Sequence, residues 1–532
     1  MKTKLTASFM LAFLFLLTTT YIFSQIKVDD KTSLNYLKNN LQVLASDEFQ
    51  GRETTTHGEK LASLFIVSEL DKYGVKPFGD NGTYFQNFDL LSSGYAENTK
   101  ISLLDNSGSM LTEFLLGDDF IKTSRGLADE SLSKQTTGIV FAGYGITAKE
   151  FDYDDYAGVD VNGKTILILS GEPYNERDDF FNGTKPTPYS NPESKIKLAK
   201  EKGALGMLIV LDERMKGFWK YAKDFATQPS LAFISKEAAE TSKNIPAFTV
   251  GENCAENLLA GEELSFEKIN EMLKTKESIK SFELKKKLLY DIKPFSKIVK
   301  ARNVMGLIEG TDPKLKNEYV VLSAHYDHVG TRGNVVSNGA DDDGSGTVAV
   351  LEAAHLLAAA KENKRSIIAL FNTGEEKGLL GSQFATGNGS FMKEVVADIN
   401  MDMVGRESVD SIHCIGSDKL STEFAEIVKE ENSKTVNFVL DYKYDDPKDK
   451  NRFYYRSDHY NFARKGIPVV FFFDDMKVDY HKPTDDVDKI NFDKILKTVI
   501  LSSNIALHVA NLDHKVVVDK KVEEEQPRQR DR

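Results

Sequence analysis

The sequence predicts an α/β protein: a mostly parallel mixed sheet flanked by helices, with a smaller inserted α/β domain. Two observations predict it. Beyond residue 295, short apolar runs typical of buried strands alternate with helical patterns, as expected of a parallel sheet covered on both faces. Earlier in the chain, a separate set of short β-type runs surrounds one helical segment and indicates a second compact unit. A length of 532 residues agrees with more than one folded unit.

The elements of the main unit begin with helices and continue with strands. Apolar residues recur at helical spacing on either side of the polar loop 46–52 and predict two helices within residues 33–75. The strands predicted for this unit are 319–323, 366–371, 397–400 and 467–473. The strands predicted for the inserted unit are 138–142, 165–169 and 205–211, with a helix at 194–202.

The chain begins with Lys2 and Lys4 ahead of an apolar run over residues 9–17, a pattern typical of a secretory signal peptide over residues 1–24. A membrane anchor is the alternative, but the apolar run is shorter than the roughly 20 residues that span a bilayer. We therefore expect an exported protein, secreted or periplasmic, with no membrane span once the signal is removed.

The rest of the chain divides into four segments. They are 25–136, the N-terminal part of the main domain; 137–275, the inserted domain; 276–515, the rest of the main domain; and 516–532, a charged tail expected to be disordered. The net charge of −13 argues against nucleic acid as a partner. The sequence leaves open whether its two cysteines, Cys254 and Cys414, form a disulfide.

Polar clusters follow the predicted strands, and the first contains His325, Asp327 and His328. His325 can bind a metal through one ring nitrogen while Asp327 accepts a hydrogen bond from the other, which fixes the tautomer. His328 is a rival ligand. A single histidine at a strand end is more often structural than a ligand, so this cluster decides nothing alone.

Carboxylates dominate the next two clusters. Three consecutive aspartates, 341–343, precede a helical pattern and would repel one another without a cation, although aspartates also cap helices. Glu375 and Glu376 follow a buried strand, so one can bind a metal while its neighbour takes a proton from water.

The last two clusters supply another carboxylate and another imidazole. Asp402 interrupts an apolar run, and an unpaired buried aspartate is costly, so a metal or an ion-pair partner is expected. His481 follows Tyr480 on a predicted loop. Because ligands bind beyond the carboxyl ends of strands in open α/β sheets, these clusters should converge on one site. Together they suggest two metal ions.

At these residues the chain resembles family twenty-eight of the metallopeptidases, the co-catalytic di-zinc aminopeptidases, with related carboxypeptidase and glutaminyl cyclase branches. The resemblance covers roughly residues 295–510 and implies the zinc exopeptidase fold, which is phosphorylase/hydrolase-like. The motifs that carry it are His-x-Asp at 325–327, Asp-Asp-x-Ser-Gly at 342–346, Glu-Glu at 375–376, Met-Asp-Met at 401–403 and Tyr-His at 480–481.

The resemblance implies two zinc ions and a ligand set. The implied ligands are His325, Asp342, Glu376, Asp402 and His481. Asp342 would bridge the two ions, with His325 and Glu376 on one and Asp402 and His481 on the other. In this family the peptide bond after the bridging aspartate is often cis, so a cis bond is expected between Asp342 and Asp343.

The resemblance also implies the catalytic roles. Glu375 would act as general base, Asp327 would support His325, and Tyr480 could donate a hydrogen bond to the oxyanion. The segment Arg-Ser-Asp-His at 456–459 resembles a supporting motif. The implied activity is hydrolysis of the N-terminal peptide bond, with peptide or protein N-termini as substrate.

Three other functions are weighed against an aminopeptidase. A carboxypeptidase or dipeptidase needs a cationic clamp for the substrate carboxylate, and the candidates are Arg406, Arg452 and Arg456. A glutaminyl cyclase usually keeps one zinc and lacks the full ligand set. A non-catalytic binding protein would have lost ligands that this chain retains.

The inserted segment resembles a protease-associated domain over residues of about 137–275. The matching features include Gly-Tyr-Gly-Ile at 143–146, Asp-Asp-Tyr at 154–156 and Gly-Lys-Thr-Ile at 163–166. The resemblance implies a lid or a substrate-binding accessory. The sequence does not give the oligomeric state.

Overall fold

The structure, a computed structural model, describes most of the chain. The described residues are 25–123, 133–173, 180–183, 186–211, 217, 219, 222, 227–234, 245–275, 277–406 and 408–522. The predicted signal peptide, residues 1–24, lies outside them. Among the described residues, no helix is long and apolar enough to cross a membrane.

The strands, in chain order, are β1 Lys76–Pro77, β2 Phe85–Tyr95, β3 Lys100–Leu104, β4 Met110–Leu115, β5 Phe120–Lys122, β6 Thr136–Phe141, β7 Thr147–Ala148, β8 Tyr153–Asp154, β9 Thr165–Leu169, β10 Gly206–Val210, β11 Ser230–Phe233, β12 Ala247–Val250, β13 Phe282–Asp291, β14 Pro294–Ile308, β15 Tyr319–His325, β16 Thr331–Arg332, β17 Val335–Val336, β18 Ser366–Asn372, β19 Val395–Met401, β20 Ser411–Ile415, β21 Val439–Asp441 and β22 Val469–Phe473. The α-helices described in full are α1 Asp30–Leu44, α2 His57–Lys72, α3 Pro192–Glu201, α4 Glu252–Leu259, α5 Phe266–Thr275, α6 Gly346–Ala360, α7 Leu380–Asn388, α8 Thr422–Lys434, α9 His459–Ala463 and α10 Phe492–Asn511.

The main sheet has the strand order β11-β2-β14-β18-β15-β19-β22-β20-β21, with β1 paired to β14. Its centre, β18-β15-β19-β22, is parallel, and the strands flanking the centre pair with it in antiparallel orientation. The predicted α/β class is therefore confirmed, with the parallel pairing confined to the centre and to the edge pair β20–β21. The carboxyl ends of the four central strands lie along one edge of the sheet.

Both faces of this sheet are buried, which explains why its central strands appear in the sequence as continuous apolar runs. In β18, Ile367, Ala369 and Phe371 belong to the core cluster that includes residues of α1, α2, α6 and α10. The alternate residues Ile368 and Leu370 belong to a second cluster that includes residues of α7 and α9. The helices predicted on either side of loop 46–52 are α1 and α2.

The second sheet has the order β4-β3-β13-β6-β9-β10-β12-β5. Strands β6, β9, β10 and β12 run parallel, while β3, β4, β5 and β13 pair in antiparallel orientation. Four of these strands therefore come from outside the predicted insert, 137–275: β3 to β5 precede it, and β13 follows it. We propose that the inserted unit extends from about residue 100 to about residue 291, on the bounds of β3 and β13.

One strand of the insert belongs to the main sheet. Strand β11 pairs antiparallel with β2, with Ser230 opposite Ser93 and Phe233 opposite Leu90. Just before it, the side chain of Gln228 accepts a hydrogen bond from Nζ of Lys377 at 3.0 Å. Strand β11 therefore joins the inserted unit to the main sheet, in addition to the chain connections between the two units.

The structure also describes part of the predicted tail and both cysteines. The predicted disordered tail, 516–532, begins too early: Val516 is buried, and the amides of Asp519 and Lys520 donate to the carbonyl of Leu420. The remainder of that tail, from 523, lies outside the described residues. Cys254 and Cys414 are both buried free thiols, in α4 and β20 respectively.

Candidate metal centre

The five implied ligands come from five separate parts of the main domain. His325 ends β15, Glu376 follows β18, Asp402 follows β19, His481 lies in the loop after β22, and Asp342 precedes α6. Since β18, β15, β19 and β22 are parallel neighbours, the segments that follow them meet at the same edge of the sheet. The structure brings all five side chains together there.

The three consecutive aspartates have different environments. Oδ1 of Asp341 accepts a hydrogen bond from the amide of Gly405, at 2.9 Å. Asp343 accepts hydrogen bonds from three backbone amides, of His325, Gly346 and Met403. The side chain of Asp342 instead faces the histidines of the site, and the Asp342–Asp343 peptide bond is cis, as expected.

One group of donors lies on one side of Asp342. Nε2 of His325 is 3.5 Å from Oδ1 of Asp342 and 3.5 Å from Oδ1 of Asp402. All three ligand atoms lie within 4.8 Å of one another. We call this group, His325, Asp342 and Asp402, the first position.

A second group lies on the other oxygen of Asp342. Nε2 of His481 is 3.3 Å from Oδ2 of Asp342 and 2.9 Å from Oε2 of Glu376. The ligand atoms of His328, Asp342 and Glu376 also lie within 4.8 Å of one another. We call this group, His328, Glu376 and His481 around Oδ2 of Asp342, the second position.

These distances correct the pairing that the family resemblance implied. His325 lies with Asp402, not with Glu376, and His481 lies with Glu376, not with Asp402. Strand order alone does not decide this pairing, because β15, which ends at His325, lies between β18, which leads to Glu376, and β19, which leads to Asp402. Asp342 lies between the two positions with one oxygen toward each.

The donor atoms of the site fit divalent metal ions. Several are buried and make no hydrogen bond with the described residues; they are Nε2 of His325, Oδ2 of Asp342, Oε1 of Glu376 and both ring nitrogens of His328 and His481. Buried polar atoms without a partner are costly, and imidazole and carboxylate are the ligands that zinc accepts. Within the described part of the chain, no Lys or Arg forms an ion pair with Asp342, Glu376 or Asp402.

The electrostatics of the site agree with a cation. Burial alone would lower the pKa of His325, but the carboxylates of Glu375 and Asp402 raise it well above its usual value. Burial also opposes charge on His481, whose pKa Glu376 and Asp342 raise to about 12. The carboxylates therefore create a strongly negative potential that positive charge at either position would relieve.

Asp327 makes contacts other than the predicted one. Nδ1 of His325 faces the main-chain oxygen of Asp327 at 3.1 Å, whereas the carboxylate oxygen Oδ1 is 3.7 Å away. That carboxylate accepts hydrogen bonds from the amide of Glu375 at 3.2 Å and from Oγ1 of Thr54 at 2.8 Å. Asp327 thus fixes His325 through its backbone and the start of the Glu375 loop through its side chain.

Three residues support the site through contacts that the sequence did not predict. Ser457, within the supporting motif, donates to Oδ2 of Asp402 at 2.6 Å. Arg52, placed in the polar loop without a role, is fully buried and donates to the carbonyl oxygens of Asn338 and Gly339 ahead of the aspartates. Asp485 accepts hydrogen bonds from the amides of Asp341 and Asp342. Strand-end clusters could not reveal these contacts, because each joins residues that are far apart in sequence.

Tyr480 lines the same cavity as His325, Asp342, Glu375 and Asp402. Its ring stacks on the ring of His481, with centroids 3.7 Å apart. Burial and the neighbouring Glu376 raise the pKa of its phenol well above the usual value, so it remains protonated at neutral pH.

A sequence model described as Peptidase family M28 matches residues 303–505. This range contains all five implied ligands. Residues 303–505 form a peptidase family M28 domain. The domain starts within β14 and ends within α10, so it covers the parallel centre of the main sheet and the site at its edge.

Curated relatives match part of the chain. A probable leucine aminopeptidase of Arthroderma otae is 30% identical over 222 residues, which is 40% of this chain and 58% of that protein. Leucine aminopeptidase 1 of Uncinocarpus reesii is 30% identical over 224 residues, covering 38% of this chain and 54% of that protein. The chain therefore spans little more than half the length of the curated relatives it matches.

Solved structures extend the likeness beyond the M28 domain. An aminopeptidase from Aneurinibacillus sp. strain AM-1 superposes with a TM-score of 0.57 at 19% identity, covering 92% of this chain and 97% of that one. BSAP, a zinc aminopeptidase from Bacillus subtilis, gives a TM-score of 0.52 at 19% identity, covering 91% and 95%. At this identity, these structures support the fold.

Proposed function

We propose that this chain is an exported, zinc-dependent aminopeptidase that hydrolyses the N-terminal peptide bond of peptides, with Glu375 as general base. The observation that carries the proposal is the convergence of unpartnered imidazole and carboxylate atoms on the two oxygens of Asp342. The family match and the leucine aminopeptidases among the relatives support the reaction class.

Two zinc ions are proposed as the cofactors. His325 and Asp402 would hold one, Glu376 and His481 would hold the other, and Asp342 would contact both. Bound zinc would supply Lewis-acid activation of a water molecule and of the scissile carbonyl.

Glu375 is suited to moving the proton. It belongs to neither metal position, although its carboxylate lines the same cavity, 3.9 Å from Nε2 of His325. Burial raises its pKa well above the usual value, and Glu376 and Asp402 act in the same direction. A carboxyl with a raised pKa can accept a proton from water and return it to the leaving amine near neutral pH.

Tyr480 is proposed to donate a hydrogen bond to the oxyanion. Its phenol remains protonated, and its ring is fixed against His481. A donor fixed in advance costs little reorganisation when negative charge develops on the substrate oxygen.

Of the three arginines that could clamp a substrate carboxylate, Arg456 lines the cavity of the site, whereas Arg406 and Arg452 do not line it. Arg406 donates to Asp479 and Asp485, at 3.3 and 2.6 Å, and is not free to bind a substrate carboxylate. Arg456 lines the cavity beside Tyr480, with its guanidinium 4.9 Å from the ring of Phe453. It is the cation that a substrate C-terminus would meet.

Release of free amino acid from matched unblocked and N-acetylated peptides tests the proposal, using zinc-loaded protein with and without chelator. We expect release only from unblocked peptides, loss of release with chelator, and a fall of about 10²–10⁴-fold in turnover for Glu375→Gln. The exposed Glu362→Gln serves as the matched control and should leave turnover unchanged.

Other outcomes point to the alternatives. Release from the carboxyl end of N-acetylated peptides, lost in Arg456→Leu, would move the assignment to a carboxypeptidase. No release from any peptide by protein that contains zinc would favour a binding protein.

A further inference from the structure

His328 is the one buried histidine of the site to which neither the family resemblance nor the proposed mechanism gives a role. Its side chain is fully buried, and neither ring nitrogen makes a hydrogen bond with the described residues. We propose that His328 is an additional metal ligand of the second position, which makes that position the stronger of the two. The inference rests on the proposed zinc centre and not on the reaction performed there.

The distances around Nδ1 of His328 are those of atoms that share an ion. Nδ1 lies 3.0 Å from Oε1 of Glu376 and 3.7 Å from Oδ2 of Asp342. Ligand atoms about 2.0–2.1 Å from a tetrahedral zinc are roughly 3.4 Å from one another, and the two observed distances bracket that value. The ring nitrogen and the two carboxylate oxygens therefore suit a common centre.

The orientation of the ring supports the same conclusion. At 3.0 Å, Nδ1 and Oε1 of Glu376 are close enough for a hydrogen bond, yet the geometry does not form one, and both atoms lack any other partner. When a ring nitrogen lies close to a carboxylate oxygen but its N–H is not directed at that oxygen, both atoms can instead be directed at a shared ion.

The backbone holds the ring in this place. The amide of His328 donates to the carbonyl of Arg52 at 3.2 Å, and His328 forms a β-bridge with Glu53. On the other side lies Gly339, with a φ of +56°, where an added Cβ would be 2.5 Å from two atoms of the imidazole. Only glycine leaves room for the ring at this distance.

The simpler alternative is that His328 acts as a hydrogen-bond donor that orients Glu376. In that case His481, 2.9 Å from the other oxygen of Glu376, supplies the only imidazole of the second position. The two readings differ in what a glutamine at 328 would do, because its amide can still donate a hydrogen bond but binds zinc poorly.

Zinc binding to His328→Ala and His328→Gln therefore tests the proposal, by calorimetric titration of the metal-free full chain and by zinc content after dialysis. We expect both variants to lose affinity at one of the two positions by more than about 100-fold, beyond the 10–100-fold typical of an orienting residue. The matched control is His57→Gln at an exposed histidine, which should bind two zinc ions as the wild type does. Near-normal binding by His328→Gln with weakened binding by His328→Ala would overturn the proposal in favour of the orienting role.

A measurement on the wild-type protein avoids any effect of the variants on folding. X-ray absorption of protein loaded with one equivalent of zinc should show two imidazoles per zinc, from His328 and His481. A single imidazole would overturn the proposal. Because neither experiment measures peptide hydrolysis, wild-type protein that binds two zinc ions in this way but cleaves no peptide would refute the proposed function and leave this inference intact.

Discussion

A buried ion pair behind the metal centre gives a prediction whose magnitude follows from the structure. Lys494, in the first turn of α10, donates to Oδ1 of Asp474 at 2.6 Å, and their side chains are 0% and 5% exposed. Asp474 follows β22, and its other oxygen accepts the amide of Arg406. Lys494→Met keeps a side chain of similar length but leaves the carboxylate of Asp474 buried without its cation.

Removing one partner of a buried pair costs about 3–5 kcal/mol, because the remaining charge is neither solvated nor compensated. The matched control is Lys497→Met on the same helix. Lys497 is 31% exposed and lies 3.6 Å from the exposed Asp410. A partly exposed pair contributes about 0–1 kcal/mol, so the two variants should differ in their free energy of unfolding by at least about 2 kcal/mol.

The effect of Lys494→Met should depend on pH. Burial raises the pKa of Asp474, and Lys494 offsets part of that rise. Without Lys494 the folded-state pKa rises further, so folding favours the protonated carboxyl and stability falls as pH rises above the unfolded value of about 3.9. Destabilisation should be small near pH 4, increase as pH rises through the folded-state pKa of the variant, and then level off.

Urea unfolding of the metal-free protein between pH 4.5 and 8, monitored by far-UV circular dichroism, measures this effect. The double variant with Asp474→Asn should recover part of the loss, because the amide carries no charge. A loss below about 1 kcal/mol at pH 7, or a loss that is the same at every pH, would refute the reasoning.

Three further predictions concern the site. Tyr480→Phe should lower turnover by about 10²–10³-fold with little change in KM in steady-state kinetics, and unchanged turnover would remove its role as oxyanion donor. Ser457→Ala removes the hydrogen bond to Asp402 and should weaken zinc binding at the first position by about 10–100-fold in a calorimetric titration; equal affinity would mean that Ser457 does not orient Asp402. Removing zinc with a chelator should lower the melting temperature, because metal binding stabilises only the folded state, and an unchanged melting temperature would contradict a preformed site.

Much of the main domain could be predicted because its central strands are buried on both faces. Strand β18 was predicted at 366–371 and is observed at Ser366–Asn372, and β15 and β19 differ from their predicted bounds by a few residues at most. The polar clusters at the ends of these strands identified the candidate site residues. A parallel sheet brings such clusters together whatever the intervening sequence.

The pairing of those residues could not be derived in the same way. Strand β15 lies between β18 and β19, so strand order alone would allow His325 to lie with Glu376 or with Asp402. The segments that follow the strands place His325 beside Asp402. Their conformation is a property of the tertiary structure that local sequence patterns do not contain.

The C-terminal boundary of the insert is hard to predict because the last strand of its sheet, β13, carries surface charge. Strand β13 carries three consecutive lysines, 285–287, and the division made from the sequence placed this region in the main domain, 276–515. Its buried residues Phe282, Leu284, Leu288 and Tyr290 belong to the core of the second sheet. Their alternation is interrupted by an irregularity in pairing between Glu283 and Lys287, which hides the strand pattern.

The proposed metal centre depends most directly on Asp342 as the ligand shared by two zinc ions. Zinc content of the purified, dialysed protein tests this, with Asp342→Asn compared with the partly exposed control Asp312→Asn. We predict two zinc ions per chain in the wild type and the control, and weakened binding at both positions in Asp342→Asn. Two tightly bound zinc ions in Asp342→Asn, or no zinc in the wild type, would contradict it.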